Sequence, residues 1–147
     1  MASEILVKTR TVIEAQANTT ALTAGADPNN GGGTYTGATP VVIDNRLTGG
    51  SDNSKGAHFL NLELNVTTHS GGDATAEIWY CTSKDASNYT KWRYSHTVGE
   101  TILSAATPRC DAGIFELSAL CYKLVVVART VAFTATLSAT PVLYEGQ

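Results

Sequence analysis

The feature that most constrains this chain is a repeated two-residue alternation of apolar and polar side chains. Leu60, Leu62, Leu64 and Val66 alternate with Asn61, Glu63 and Asn65. Beyond the glycine turn Ser70-Gly71-Gly72-Asp73, Ala74, Ala76, Ile78 and Tyr80 alternate with Thr75, Glu77, Trp79 and Cys81. Near the end, Val131, Phe133, Ala135, Leu137 and Ala139 alternate with Ala132, Thr134, Thr136 and Ser138. A period of two sends successive side chains to opposite faces of a strand, one toward a core and one toward water. The run Cys121-Tyr122-Lys123-Leu124-Val125-Val126-Val127-Ala128 reads as a buried strand, because consecutive valines suit a pleated surface and not a helix. No segment carries a 3.6-residue period over helical length, and residues 10–24 and 112–120 leave room only for a short helical turn.

About eight short strands, glycine-rich turns and no βαβ rhythm predict an all-β fold of two packed antiparallel sheets, a jelly-roll-like β-sandwich. A closed barrel is the alternative. Residues 1–14 read as an N-terminal arm or edge strand, because Ile5, Val7, Thr9, Thr11 and Ile13 alternate with Leu6, Lys8, Arg10, Val12 and Glu14. Neither face there is purely apolar, so Ile5 and Val7 are candidate contacts with a neighbouring subunit. Residues 15–56 read as a long loop region holding one short strand, Val41-Val42-Ile43. This region contains the turn cluster Asp27-Pro28-Asn29-Asn30-Gly31-Gly32-Gly33, where glycine supplies positive φ and Asn and Asp bond back to the backbone. Residues 57–147 form the sandwich core of a single domain.

Composition narrows the function classes. Of 147 residues, 43% are apolar and only 16% charged, and the polar surface is built largely from threonine, of which there are 21. Ten basic against 13 acidic residues give a net charge of −3, and no run of Lys or Arg occurs. Binding to nucleic acid without sequence preference needs clustered positive charge to release counterions, so no nucleic-acid partner is expected. No apolar stretch is long enough for a membrane-spanning helix, and Met1-Ala2-Ser3-Glu4 lacks the basic and apolar regions of a signal peptide. The expectation is therefore no membrane partner and synthesis in the cytoplasm. The three cysteines, Cys81, Cys110 and Cys121, are odd in number and widely spaced, which fits buried thiols and not a disulfide framework.

Chemistry-bearing constellations are sparse. His58, His69 and His96 show no metal-ligand spacing, and the glycine–x–serine–x–glycine elbow is absent. Glu63 and Glu77 are the two carboxylates that strand pairing would bring together. Asp52, Asp73, Asp85 and Asp111 lie in loops without an EF-hand pattern, so ordinary turn bonding is expected of them. No catalytic residue, metal or cofactor is expected, and the chain reads as a non-enzyme. Trp79, Tyr80, Tyr89, Trp92 and Tyr94 fall within sixteen residues. Trp79 is out of phase with Ile78 and Tyr80, which marks it for a subunit contact, an intramolecular cover or a ligand. Tyr89 and Trp92 at a loop rim would stack on a sugar ring, whereas Trp92 and Tyr94 in phase would plug the end of the core.

The stretch ATAEIWYCTSKDASNYTKW, residues 74–92, resembles a pattern in small β-sandwich virion proteins of tailed bacteriophages. There a strand ends in a Ser-x-Asp loop, followed by Asn-Tyr or Asn-Trp and a tryptophan that starts the next strand. The end of the chain, CYKLVVVARTVAFTATLSATPVL, is similar to their closing hairpin. The match covers residues 57–143 and leaves the N-terminal 56 outside it. It implies a capsid decoration or cement protein on the virion surface, often trimeric, with the major capsid protein as partner. It also implies that Asp85, Asn88 and Trp92 define the fold of their loop. The alternative is a carbohydrate-binding or receptor-binding module of a phage tail. Linked weak contacts raise effective concentration, which suits a cement protein.

Overall fold

The structure is a computed structural model and describes residues 5–9, 13–19, 28–29, 40–46, 57–69, 73–99, 109–129 and 133–146. Among the described residues there are nine strands: β1 (Ile5–Thr9), β2 (Ile13–Thr19), β3 (Val41–Asp44), β4 (Phe59–His69), β5 (Thr75–Ser83), β6 (Arg93–Thr97), β7 (Arg109–Glu116), β8 (Cys121–Arg129) and β9 (Phe133–Gly146). They form two separate sheets. Sheet A runs β1-β9-β4-β7, with β2 also paired to β9, and sheet B runs β3-β8-β5-β6. Every neighbouring pair is antiparallel. From β2 onward, consecutive strands change sheet at every step except β5 to β6. The all-β, two-sheet expectation therefore stands, with nine strands where about eight were read.

The alternation explains the layers. Leu60, Leu62, Leu64 and Val66 of β4 and Phe133, Ala135, Leu137 and Ala139 of β9 turn inward from sheet A. Ala76 and Ile78 of β5, with Tyr122, Leu124, Val126 and Ala128 of the neighbouring β8, turn inward from sheet B to meet them. Val41 and Ile43 complete it from β3, and Ile78, Leu64 and Leu124 are fully buried. Removing each such side chain from water contributes roughly 1.5–3 kcal/mol. Ala76, Ala128, Ala135 and Ala139 are small, and let the sheets approach opposite the larger leucines.

β4 and β5 lie in different sheets, so the glycine turn between them is a connection across the sandwich; β8 and β9 also lie in different sheets, so the closing hairpin that the resemblance implies is not formed. Glu63 and Glu77 consequently lie in separate sheets and form no pair. Tyr94 does not plug the end of the core. A bulge in the β5–β6 register sets His96 opposite Ile78 but Tyr94 opposite Trp79. That extra residue turns His96 toward the core and leaves Tyr94 50% exposed on the outer face. The core is instead closed by Tyr80, Phe115 and Tyr122, whose ring centroids lie 5.2–6.3 Å apart. Tyr122 satisfies its buried hydroxyl by accepting from the backbone N–H groups of Ser118 and Ala119.

The boundary drawn at residue 14 falls inside β2, which continues to Thr19. β1 and β2 both pair with β9 of the same chain, and their registers differ by one residue, from Thr9↔Val142 to Ile13↔Ala139. A short strand that the order Thr101-Ile102-Leu103-Ser104 suggests, and most of the glycine-rich stretch, lie outside the described residues.

Candidate functional site

The outward face of sheet B brings together several residues singled out from the sequence: Glu77, Trp79, Cys81 and Cys121. Cys121, Lys123, Val125, Val127 and Arg129 of β8 pair with Ser83, Cys81, Trp79, Glu77 and Thr75 of β5. Residues directly opposite in an antiparallel pair share a face. Cys81, Cys121, Val125 and Val127 are buried although they point away from the main core. This face is therefore covered.

Part of the cover is the segment Ser83–Thr90. Asp85 organises it: Oδ1 accepts from the Ser83 hydroxyl at 2.8 Å, from Ser87 N–H at 2.9 Å and from Asn88 N–H at 2.8 Å. Oδ2 accepts from the Asn88 side-chain amide at 2.8 Å. The hydrogen bonds from Asn88, then Ser87 and Ser83, hold this carboxyl far below the usual carboxylate range. Ala86 takes a positive φ of 61°, the local bend this bonding enforces. Arg46 fastens the segment to β3, gripping Asp44 through Nε (2.8 Å) and Nη2 (2.6 Å) while Nη1 donates to the Asp85 carbonyl at 3.2 Å. Tyr89 lies beneath Lys123, whose Nζ is 4.2 Å from the ring centroid. Asp85→Ala is expected to lower the melting temperature and raise amide exchange across residues 84–90. Asp85→Asn should retain part of both effects, because an amide oxygen still accepts.

A second fastening comes from the turn at Pro28-Asn29. The Asn29 carboxamide accepts from Trp92 N–H at 2.8 Å and donates to the Trp92 carbonyl at 2.9 Å. It bonds one residue as a neighbouring strand would. Trp92 thus anchors the long β2–β3 connection to the start of β6, a role that alternation and turn chemistry did not reveal. Trp79 is also engaged within the chain. Its indole N–H donates to Glu77 Oε2 at 2.8 Å, its ring meets Tyr94 edge-on at 5.8 Å, and Arg129 Nη2 donates to the same Oε2 at 2.8 Å. These contacts tie the indole to the outer face of sheet B.

Ile5 and Val7 lie in β1, opposite Gly146 and Tyr144. They belong to a strand edge and are separate from the sheet B cluster.

The electrostatics favour structure over reactivity. Burial pushes the Cys81 and Cys121 thiols up, so both are protonated at neutral pH and poor nucleophiles. Cys121 donates to Asp44 Oδ1 at 3.5 Å. The Arg46 bond brings Asp44 down to about 2. Burial raises Glu77, but hydrogen bonds from Arg129 and Trp79 together outweigh it and leave the carboxyl lowered. A carboxyl lowered on folding stabilises the native state at every pH above its unfolded value and loses that contribution as pH falls toward the folded value. The melting temperature should thus be flat near neutrality and fall as the pH drops from about 4 toward 2. Among the described residues no group of three or more His, Cys, Asp or Glu could hold a metal ion.

One concavity stands beside the cover segment, a groove of about 650 Å³ lined by Thr82, Asp85, Asn88, Thr90, Ser118 and Leu120 among others. Neither Tyr89 nor Trp92 lines it. Searches against protein-family models, curated proteins and solved structures find no match to this chain.

Proposed function

We propose that this chain is a structural virion protein that decorates and stabilises a bacteriophage capsid by binding the major capsid protein lattice. In this reading it is made in the host cytoplasm, works on the capsid surface and associates with itself, with a trimer as the preferred form. The observation that carries the proposal is the strand order. Orders β2-β9-β4-β7 and β3-β8-β5-β6, with strands alternating between sheets, fit a jelly roll. Double-sheet jelly rolls serve as viral capsid and lectin domains. Fold alone does not choose between those two, so the site must. A lectin reading needs Tyr89 and Trp92 displayed around a groove, whereas neither lines the groove beside the cover segment and Lys123 caps Tyr89. The Ser83–Thr90 segment, with Asp85 and Asn88 at its centre, matches the loop of the virion pattern in kind.

The test is co-sedimentation with empty capsids of a phage that carries this chain. Binding should saturate at a fixed ratio to the major capsid protein, with no saturable binding to a glycan. Failure to pellet with capsids, combined with saturable binding to a glycan, would replace this reading with the tail-module alternative.

A further inference from the structure

We infer that copies of this chain join knob into groove: Ile114 of one copy enters the groove that Lys84, Asp85, Ala119 and Leu120 line on the next. The contact rests on the self-association proposed above, not on the capsid partner. Among the described residues the exposed large hydrophobic side chains are Val42, Tyr94, Ile114 and Leu120. Leu120 lines the groove together with Ala119 and gives it an apolar wall. Tyr94 is engaged within the chain, its ring against Trp79 and its hydroxyl bonded to Thr97. Val42 stands opposite Lys123, whose ammonium lies over Tyr89. Ile114 is the most exposed of the four, at 67%. It lies on the outward face of β7, because its partner Asn61 alternates with the inward Leu60 and Leu62. A branched aliphatic side chain so placed gains free energy when a neighbour buries it.

Charge names the occupant. Asp111 and Glu116 flank Ile114 along β7 on the same outward face, opposite Glu63 and Phe59 of β4. Both are exposed, and neither makes an ion pair with a described residue. Lys84 lines the groove and Lys91 follows its lining residue Thr90; these two are likewise exposed and without an ion pair. Asp85, the acid of the groove, has its carboxylate taken up by donors from Ser83, Ser87 and Asn88. An apolar knob between two acids therefore meets an apolar wall beside two bases. Complementary charge of this kind selects the partner and fixes its register. Knob and groove are different patches, so the contact is heterologous, and such contacts close into rings where the rotation allows. A ring of three is the trimer of the preceding section.

Sedimentation velocity of the full chain over a range of concentrations tests it. Ile114→Thr, which keeps the β-branch, and Leu120→Glu should each raise the dissociation constant about tenfold or more. Mixed in equal amounts, these two variants should form a dimer that neither forms alone, because one keeps the groove and the other the knob. Lys84→Glu and Glu116→Lys should each weaken association about fivefold, and both together in one chain should restore it to within about twofold. Circular dichroism melts should stay unchanged throughout, since every altered side chain is exposed. A wild-type chain that stays monomeric overturns the inference, as does association indifferent to Ile114→Thr and Leu120→Glu. Co-sedimentation with empty capsids separates the two proposals. An Ile114→Thr chain that associates like the wild type and still pellets with capsids removes this contact alone. A wild-type chain that associates as expected here but fails to pellet removes the capsid reading alone.

Discussion

Leu64→Ala is expected to lower the unfolding free energy by about 2–5 kcal/mol, the range for emptying a packed core position. Leu64 is fully buried on β4, directly between Cys110 of β7 and Leu137 of β9. All three sit on the inner face of sheet A, against the side chains of sheet B. The backbone on both sides of β4 is fixed by ladders, so the cavity cannot close by local collapse. For a chain of this size each kcal/mol shifts the melting temperature by about 2–4 °C. Asn65→Ala, one residue along on the outer face, is the control and should move stability by no more than about 0.5 kcal/mol. Denaturant titration of both variants measures the contrast. Equal losses would mean that the inner and outer faces of β4 have been assigned wrongly.

Gly113→Ala is expected to cost about 1–3 kcal/mol, for two separable reasons. Gly113 has a φ of +89°, which a side chain opposes. A methyl group there would also lie 2.9 Å from His96 Nε2. That ring is not free to yield. Its Nε2–H donates to the Ala112 carbonyl at 2.6 Å, and since a carbonyl only accepts, Nδ1 is left to accept from the Ser95 hydroxyl at 2.9 Å. The imidazole therefore bridges β6 of one sheet to β7 of the other, closing the side of the sandwich where both sheets end. In a His96→Ala background the steric part vanishes and only the backbone strain remains. The cost of Gly113→Ala should shrink there, a coupling that a double-mutant cycle reads directly. Identical costs in the two backgrounds would remove the close approach from the account.

The strands that could be read from residue order are those with unbroken phase. β4, β5, β8 and β9 carry long alternating or valine-rich runs, and each appears where those runs lie. β2 follows Ile13 with only Ala15, Ala17 and Thr19 at alternate positions, a weak signal in the sequence, and its pairing to β9 is set by a distant partner. β7 begins at Arg109, where no alternating run in the sequence marks a strand. Its bulge sets Leu62 opposite Gly113 and Glu63 opposite Asp111, so Cys110, Ala112 and Phe115 turn inward while Ile114 is 67% exposed. A bulge adds a residue without any local signal, and every later side chain changes face. The same effect at Trp79 separated Tyr94 from His96. The Asp85 turn was legible, because Asp and Asn bond locally. The Asn29–Trp92 fastening was not, since it joins residues 63 apart through one carboxamide.

If the chain is a cement protein, its effect must appear in the particle and not only in the isolated chain. The most direct measurement is the temperature at which empty capsids come apart, recorded by calorimetry with and without saturating chain. Ligation to the assembled lattice alone stabilises it by mass action, so the account predicts an upward shift that grows with chain concentration and levels off at full occupancy. Capsids that bind the chain yet fall apart at an unchanged temperature would contradict it.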